Sequence, residues 1–372
     1  MLKRLFVRAD FILLAVVIAL SCFGAVMVAS ATQHLAISGE SGGSTKLVVQ
    51  IISLALGLGL MLLLMSIDYS KLLHVAPLVV GGCVGLVLIT LVLGAIRGSH
   101  RWIPIGPIHL QPSEFTKIAI IIGLAFYLNR RAEEADLSSL RVFLQAMAVA
   151  LVPAGLILLQ PDLGTPIVVF FLSLTVLFVL GTKPVHIVAA LLIAVLALTA
   201  AWHTNLLRDY HKKRIIAFIN PDADPYGAGY HVRQSKFAVG SGHWIGKGLF
   251  QGTQSNLGFV PDQETDFIFA VVGEELGFVG GTILLGLLGM VVWRCLSVAA
   301  EAKDVGGRAL AAGVAAMFII QIVVNIGMVL GMMPVKGLPL PFLSYGGSAM
   351  LANCAAVGIV ESVYMRRHKI AF

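Results

Sequence analysis

The chain has 372 residues, of which 58% are hydrophobic and only 12% are charged, with a formal net charge of +7. Soluble domains carry about twice that share of charged residues, so the composition excludes a soluble enzyme and predicts a multi-pass membrane protein. All four cysteines fall in apolar runs, and their spacing indicates neither a disulfide framework nor a metal site. The positive charge suits anionic lipid or an anionic substrate.

Apolar runs along the chain predict ten membrane spans. They cover 11–31, 47–66, 77–95, 113–129, 142–160, 165–181, 184–203, 267–294, 309–333 and 347–365. The predicted fold is therefore an all-α bundle of ten transmembrane helices, forming one polytopic domain over residues 1–372. An even number of spans puts both termini on the same side of the membrane.

The basic residues select that side. Those that flank the first, fourth and last spans on a common face are Lys3, Arg4, Arg8, Arg130, Arg131, Arg141, Arg366, Arg367 and Lys369. By the positive-inside rule this face is cytoplasmic, and both termini are inside. The same count makes residues 204–265 one large extracellular loop.

The predicted extracellular loop carries an unusual number of cations for its side of the membrane. They are Arg208, Lys212, Lys213, Arg214, Arg233, Lys236 and Lys247. Loops of this length are weakly governed by topology rules, so the charges are free to bind an anionic partner such as a phosphorylated lipid. The alternative is a solvated face or contact with lipid headgroups.

The loop ends in a polar, glycine-rich stretch that leads directly into an apolar run, QGTQSNLGFVPDQETDFIFAVVGEELG over 251–277. Asp266 therefore lies where an aqueous loop meets a membrane helix. One interpretation is a carboxylate near the positive end of the helix dipole, and the other is a catalytic group. Glu274 and Glu275 lie deeper in the same helix, where an ionisable group must face protein or water.

Further polar residues collect on the outer side. Glu114 suits the first turn of the fourth span, whereas the cation Lys117 is unfavourable there and is a functional candidate. Asp162 lies in a tight turn, where it either serves the site or caps the next helix. Arg101 and Lys336 lie on the same side. Together these residues predict a cavity that opens to the outer leaflet and handles an anionic, lipid-linked substrate.

Several motifs resemble the shape, elongation, division and sporulation family. They run in order along nearly the whole chain: QPSEFTK, QPDLGT, DPYGAGYH, RQSKFAVGSGHWIGKG, GTQSNLGFVPDQETDFIFAVVGEELG and NIGMVLGMMPVKGLPLPFLSYGGS. The stretch GSGHWIGKGLFQGTQSNLGFVP resembles the elongation branch more than the division branch. One departure is Gln263-Glu264, where many members have a histidine that Glu264 would have to replace.

The resemblance implies a peptidoglycan glycosyltransferase that polymerises lipid II at the outer face of a bacterial cytoplasmic membrane. It implies as partners a class B penicillin-binding protein and other elongation-complex membrane proteins, and no nucleic acid. The family's essential acid matches Asp266, to which we give the role of general base. The departing pyrophosphate needs cations or a divalent metal ion, Mg²⁺ or Mn²⁺.

Supporting roles follow from this assignment. We assign pyrophosphate binding to Arg101, Lys117, Arg233 and Lys236, with Glu114 and Asp162 positioning Lys117 or a metal ion. A flippase for lipid-linked precursor is the alternative function, but the predicted inner loops offer little for an inward-facing site. A non-catalytic scaffold is the third interpretation, and it requires Asp266 to be dispensable.

Overall fold

The structure is a computed structural model, and it describes residues 8–33, 35, 43–92, 102–105, 108–134, 136–160, 162, 164–204, 209–220, 222, 224 and 227–367. Five basic residues used in the sequence predictions, among them the proposed phosphate ligand Arg101, lie outside these ranges. The other four are Lys3, Arg4, Arg208 and Lys369.

A long helix corresponds to each predicted span. These helices are α1 (Phe11–Ala31), α2 (Gly43–Ser66), α4 (Ala76–Val92), α5 (Pro112–Arg131), α6 (Leu140–Leu158), α7 (Gly164–Val179), α8 (Pro184–His203), α12 (Ile268–Glu301), α13 (Val305–Val329) and α14 (Gly347–Met365). Among the described residues, seven of them are long and apolar enough to cross a membrane, while α4 and α7 are shorter and apolar. The prediction of a helical membrane protein is confirmed, and the count of ten spans stays a prediction.

Shorter elements connect these helices. They are α3 (Tyr69–His74), an antiparallel hairpin of β1 (Ile103–Ile105) and β2 (Ile108–Leu110), and α9 (Asp209–Ile219), α10 (Ala228–Ser241) and α11 (Thr253–Asn256). The hairpin departs from the all-α prediction, because three-residue strands leave too short an alternating pattern to be recognised. The last three helices lie within the predicted extracellular loop, and they make up about half of its described part.

The helices α13 and α14 form the centre of the bundle, and α8 lies at its outside. In the most apolar stretch of α14, 89% of the residues are buried, whereas the corresponding stretch of α8 has none. A helix that is apolar on all sides and buried on none suits a lipid-facing position. The site elements therefore stand on a rigid centre of three packed helices, α5, α13 and α14.

Polar contacts join the helix ends that the sequence assigns to the same side. At the predicted inner end these contacts are Arg294–Asp10 at 2.5 Å, Arg367–Glu301 at 3.0 Å, Arg366–Asp68 at 3.7 Å and Tyr69–Asp304 at 2.6 Å. At the predicted outer end, Lys46 pairs with Glu264 and the Gln111 amide donates to Ser348. The alternating chain direction of the prediction thus agrees with the contacts at both ends.

The helix α12 is broken at Gly277, which has φ +64°. This divides the predicted span 267–294 into a short half-helix and a long one. A loop from α10 hydrogen-bonds to the free main-chain groups at the break: Lys247 N to Glu274 O at 3.1 Å, Gly248 N to Glu275 O at 2.9 Å, Phe278 N to His243 O at 2.9 Å and Val279 N to Trp244 O at 3.0 Å. Irregular backbone at membrane depth requires such protein partners.

The side chain of Glu274 fastens the same loop. It is fully buried, and its carboxylate accepts hydrogen bonds from Lys247 Nζ at 2.7 Å, from the Gln254 amide at 2.8 Å and from the Ser255 amide and hydroxyl at 3.1 and 3.0 Å. An ionised carboxylate with this many donors is well stabilised despite its burial. Glu274 therefore holds the loop against the half-helix that follows Asp266.

We expect replacement of Gly277 by valine to destabilise the protein. A non-glycine residue at positive φ costs about 1–3 kcal/mol, and a Cβ there would lie 2.7 Å from the carbonyl carbon of Trp244. Thermal unfolding of the purified protein measures the loss. The matched control is Gly286→Ala in the same helix, where a Cβ meets nothing within 4 Å and alanine should stabilise by roughly 0.5–1 kcal/mol. Equal stability of the two variants would contradict the prediction.

Candidate active site

Asp266 lies just before α12, in a turn built on Asp262. The Asp262 carbonyl accepts hydrogen bonds from the amides of Thr265, Asp266 and Phe267 at 3.1, 3.1 and 3.3 Å. Asp262 itself has φ +46°, a conformation that Asp and Asn adopt more readily than most residues. Within this turn the Asp266 residue is partly buried.

The segment 334–346, predicted as a re-entry rich in proline and glycine, holds this turn in place. Ser344 donates to the Thr265 carbonyl at 2.6 Å, and the Tyr345 amide donates to the Glu264 carbonyl at 2.8 Å. From α13, Asn325 Nδ2 donates to the carbonyls of Asp266 at 2.9 Å and Leu338 at 2.7 Å. The main chain around Asp266 is therefore fixed from two sides.

Gly337 brings the main chain of that segment against the Asp266 carboxylate. Its φ is +64°, and a Cβ at this position would lie 3.1 Å from Asp266 Oδ2. Only glycine adopts this conformation freely, and a side chain would crowd the carboxylate. The Pro/Gly-rich sequence thus allows a close approach of the backbone to the Asp266 carboxylate.

The surroundings raise the pKa of Asp266 to about 7. Burial is the main cause, the negative charges of Asp262 and Glu264 add to it, and Arg214 opposes it. A carboxyl group with a pKa near 7 is both a competent base and substantially ionised at neutral pH. Perturbed groups of this kind cluster at functional sites.

Two further titratable side chains share this neighbourhood. Burial is the largest cause lowering the pKa of Lys336, with Arg214 acting in the same direction and Asp162 against it. Burial also lowers the pKa of His231, whose ring centroid is 5.9 Å from that of Phe267. Arg214 donates to the Val335 carbonyl at 3.2 Å, which places its guanidinium beside the same segment.

The predicted residues Glu114 and Lys117 form a buried ion pair. Lys117 Nζ lies 2.8 Å from Glu114 Oε2, and the two residues are 0% and 3% exposed. The lysine is therefore buried, at a place near a helix N-terminus that is unfavourable for a cation. Glu114 compensates for that position by direct pairing.

The other predicted residues occupy different environments. Asp162 caps α7, accepting from the Gly164 amide at 2.9 Å and the Thr165 hydroxyl at 3.0 Å, as the alternative interpretation required. Arg233 pairs with Asp222 at 3.3 Å on an exposed surface, and Lys236 is exposed. No contact among the described residues joins Asp266 directly to these side chains, and Arg101 lies outside the described part of the chain.

Sequence reasoning missed Arg214, His231 and Asn325 as members of the site. Asn325 had a visible signal, since a carboxamide within an apolar span must find a polar partner. Arg214 was one of seven loop cations with nothing to distinguish it. The departure at Gln263-Glu264 is structural, because Gln263 donates to the Ala31 carbonyl at 2.7 Å while Glu264 pairs with Lys46.

The described residues do not fit a protein-held metal ion. Within them, no group of three or more His, Cys, Asp or Glu side chains is arranged to bind one. Asp266, Asp262 and Glu264 are neighbours in sequence, but Glu264 is engaged by Lys46 and Asp262 is exposed. The positive charge near Asp266 comes instead from side-chain cations.

Fold and site together define a class: a multi-pass helical membrane protein with a partly buried carboxylate fixed before a broken helix. The FtsW/RodA/SpoVE family model, described as Cell cycle protein, matches residues 10–369. The chain belongs to this family, the shape, elongation, division and sporulation proteins. The resemblance drawn from the sequence motifs is confirmed.

Individual relatives agree with this assignment over nearly their whole length. The peptidoglycan glycosyltransferase MrdB of Escherichia coli K12 is 38% identical over 366 residues, covering 98% of this chain and 96% of that protein. The probable peptidoglycan glycosyltransferase FtsW of Trichlorobacter lovleyi is 40% identical over 360 residues, covering 95% and 92%.

Solved structures show the same fold. The Rod shape determining protein RodA of Thermus thermophilus matches with a TM-score of 0.71 at 31% identity, covering 97% of this chain and 98% of that one. A chain from a structure that concerns coordinated polymerization and crosslinking by a peptidoglycan synthase complex matches with a TM-score of 0.81 at 31% identity, covering 97% and 99%.

Proposed function

We propose that this chain polymerises lipid II into glycan strands at the outer face of the bacterial cytoplasmic membrane, with Asp266 as general base. Its family and its relatives make it a peptidoglycan glycosyltransferase of cell-wall synthesis. The proposed role of Asp266 rests on its pKa of about 7 and on the hydrogen bonds that hold its turn from two sides. Positioning of this kind is what a base in glycosyl transfer requires.

The reaction is one displacement with inversion. Asp266 accepts the proton of the acceptor sugar hydroxyl as the hydroxyl oxygen bonds to the anomeric carbon of the donor. The bond between that carbon and the pyrophosphate oxygen breaks, and the pyrophosphate leaves with the electron pair. The α-linked donor thereby becomes a β-linked product, so no covalent enzyme intermediate is needed.

The leaving pyrophosphate gains negative charge, which nearby cations stabilise. Arg214 acts electrostatically on Asp266 and on Lys336, and Lys336 is adjacent in sequence to Gly337, which lies against the Asp266 carboxylate. Arg233 and Lys236 extend the positive surface on α10. The role of Lys117 stays a prediction and requires its buried pair with Glu114 to open. Mg²⁺ or Mn²⁺ would have to arrive with the substrate, because the described residues lack a metal site.

The proposed partner is a class B penicillin-binding protein, which supplies the transpeptidase, together with other elongation-complex membrane proteins. Similarity to a chain of a peptidoglycan synthase complex supports an assembly of polymerising and crosslinking subunits. A relative named FtsW and a relative named MrdB are about equally similar to this chain. The assignment to cell elongation therefore rests on the motif resemblance in the stretch around 241–260.

The function is tested by incubating the purified protein and its partner with labelled lipid II. We expect glycan polymer, detected as a ladder on a gel, that depends on this chain and not on the transpeptidase active site. Movement of lipid II across vesicle bilayers with no polymer formed would instead establish the flippase alternative.

The proposed orientation puts Gln251 outside the cell and Glu133 inside. In an otherwise cysteine-free protein, Gln251→Cys should react with a membrane-impermeant thiol reagent in intact cells, and Glu133→Cys only after the membrane is opened. Both positions are exposed, whereas Ser255 in the same loop is unsuitable because it is buried against Glu274. The reverse labelling pattern would turn the site towards the cytoplasm and contradict the proposal.

A further inference from the structure

Gln321, in the middle of α13, is fully buried, and neither end of its amide has a hydrogen-bond partner among the described residues. Native proteins pair almost all buried polar groups, and an unpaired one calls for bound water, an ion or a functional role. The carboxamide contains both a donor and an acceptor. Within the described part of the chain it therefore has neither an acceptor for its N–H groups nor a donor for its oxygen.

The ion pair on α5 is also incompletely satisfied. The ammonium of Lys117 has three donors, but among the described residues it contacts only Glu114 Oε2. The Ser113 hydroxyl beside it is 1% exposed and likewise has no partner there. A buried ion pair is stable only when its remaining donors and acceptors are also satisfied.

Gln321 on α13 and Glu114 on α5 lie at the same height along the two packed helices. A Cβ on Gly313 of α13 would lie 2.7 Å from Ile121 of α5, which fixes these residues opposite each other. The predicted topology makes α5 and α13 antiparallel, so moving seven or eight residues from this contact reaches Glu114 on one helix and Gln321 on the other. At about 100° per residue, Glu114 lies about 20° from the direction of Ile121.

Gln321 points into the space between α5, α13 and α14. Around the axis of α13, Gln321 lies about 80° from Gly313, which faces α5, and about 40° from Gly307. Its direction therefore falls between the directions of the two glycines. A Cβ on Gly307 would lie 3.1 Å from Val363 of α14, so Gly307 marks the direction of that helix. The Gln111 amide, bound to Ser348 at 2.8 Å, joins the outer ends of α5 and α14 and closes the third side.

We propose that Gln321 and the Glu114–Lys117 pair enclose bound water between α5, α13 and α14. Water suits the site better than an ion, because the charges of the pair already cancel. A water molecule needs two to four polar partners, and the ammonium and the carboxamide together offer both donors and acceptors.

This hydrated site extends towards the reactive carboxylate through Asn325. Asn325 lies one turn beyond Gln321 on nearly the same face of α13. Its Nδ2 holds the Asp266 carbonyl at 2.9 Å, while its buried Oδ1 has no partner among the described residues. Water at Gln321 therefore supports the residue that positions the Asp266 turn, and the inference does not depend on the proposed chemistry.

Radiolytic hydroxyl labelling of the full-length protein in lipid nanodiscs tests the proposal, since radicals formed from bound water modify adjacent side chains. Met317, 1% exposed, lies about 40° from Gly313 and faces the same space. The control is Met27 of α1, which is 0% exposed. We expect Met317 to be modified at least several-fold faster than Met27. Equally slow modification of both would overturn the proposal.

The substitution Gln321→Leu should change the melting temperature in one direction if the site is hydrated and in the other if it is dry. In a dry site Gln321→Leu removes an unpaired amide and should leave the melting temperature unchanged or raise it. In a hydrated site the same change strands the water and should lower the melting temperature by a few degrees, with slower labelling of Met317. An unchanged or raised melting temperature overturns the proposal, and if the variant does not fold, the labelling of the wild-type protein decides.

Discussion

Replacement of Asp266 by asparagine should reduce glycan polymerisation by ~100- to 10,000-fold, the usual cost of losing a general base. Asparagine keeps the shape of the side chain and leaves the main-chain contacts to Asn325 and Asp262 in place. It cannot accept the proton of the acceptor hydroxyl. The measurement is the initial rate of polymerisation of labelled lipid II by the purified protein with its partner.

The matched control is Asp262→Asn, four residues earlier. Asp262 is exposed, and asparagine also adopts its positive φ readily, so most activity should remain. Asp266→Asn should fold at least as well as the wild type, because burial disfavours the ionised carboxylate that it removes. Near-normal polymerisation by a folded Asp266→Asn protein would refute the catalytic role and favour a scaffold.

The pH dependence gives the same assignment an independent readout. Because the base acts when ionised and its pKa is about 7, the wild-type rate should level off above pH 7. Well below that pKa it should fall tenfold for each pH unit. Asp262→Asn removes a negative charge that raises this pKa, so its profile should shift towards acid pH. A wild-type profile that is flat from pH 5 to pH 8 would contradict the assignment.

Replacement of Lys117 by alanine should destabilise the protein by about 3–5 kcal/mol, the cost of leaving a buried carboxylate without its partner. Glu114 is 3% exposed and has its ion pair with Lys117 alone among the described residues. Thermal unfolding in detergent measures the loss. The pyrophosphate role assigned to Lys117 from the sequence would make lipid II use the more sensitive property, whereas the burial of both side chains predicts a large loss of stability.

The double variant Glu114→Gln, Lys117→Met separates the two roles. Removing both charges should recover most of the stability, since replacing a buried ion pair with neutral groups is often close to neutral. If the recovered protein polymerises lipid II normally, Lys117 is structural. If it is stable but inactive, the pyrophosphate role predicted from the sequence stands. A loss below about 1 kcal/mol in Lys117→Ala would show that the pair is hydrated by bulk water.

Some features of this protein could be predicted from residues alone because they depend on local composition. Continuous apolar runs of bilayer length indicate helices, since a helix satisfies all backbone polar groups of a membrane-spanning segment within that segment. The basic flanks set a predicted orientation, and a carboxylate between a polar loop and an apolar run marked Asp266. The motifs around it were specific enough to identify the family.

Other features depended on contacts between residues far apart in the chain. The break at Gly277 was hidden in a continuous apolar run, because its free main-chain groups are satisfied by a loop about 30 residues earlier. The sequence suggested that Glu114 positions Lys117, but only the structure showed that both side chains are buried. A charged side chain carries the same sequence signal whether it faces solvent or a buried counter-charge.

The sequence by itself determined the helical membrane architecture, the family and the choice of Asp266 as the candidate base. Only the tertiary structure decided the pKa of that carboxylate and the identity of its neighbours Arg214, Lys336 and Asn325. The physical reason is that a pKa depends on desolvation and on charges within a few ångströms. Asp262 and Glu264 are close in sequence, but the opposing charge of Arg214 comes from 52 residues earlier and the burial depends on how distant segments pack.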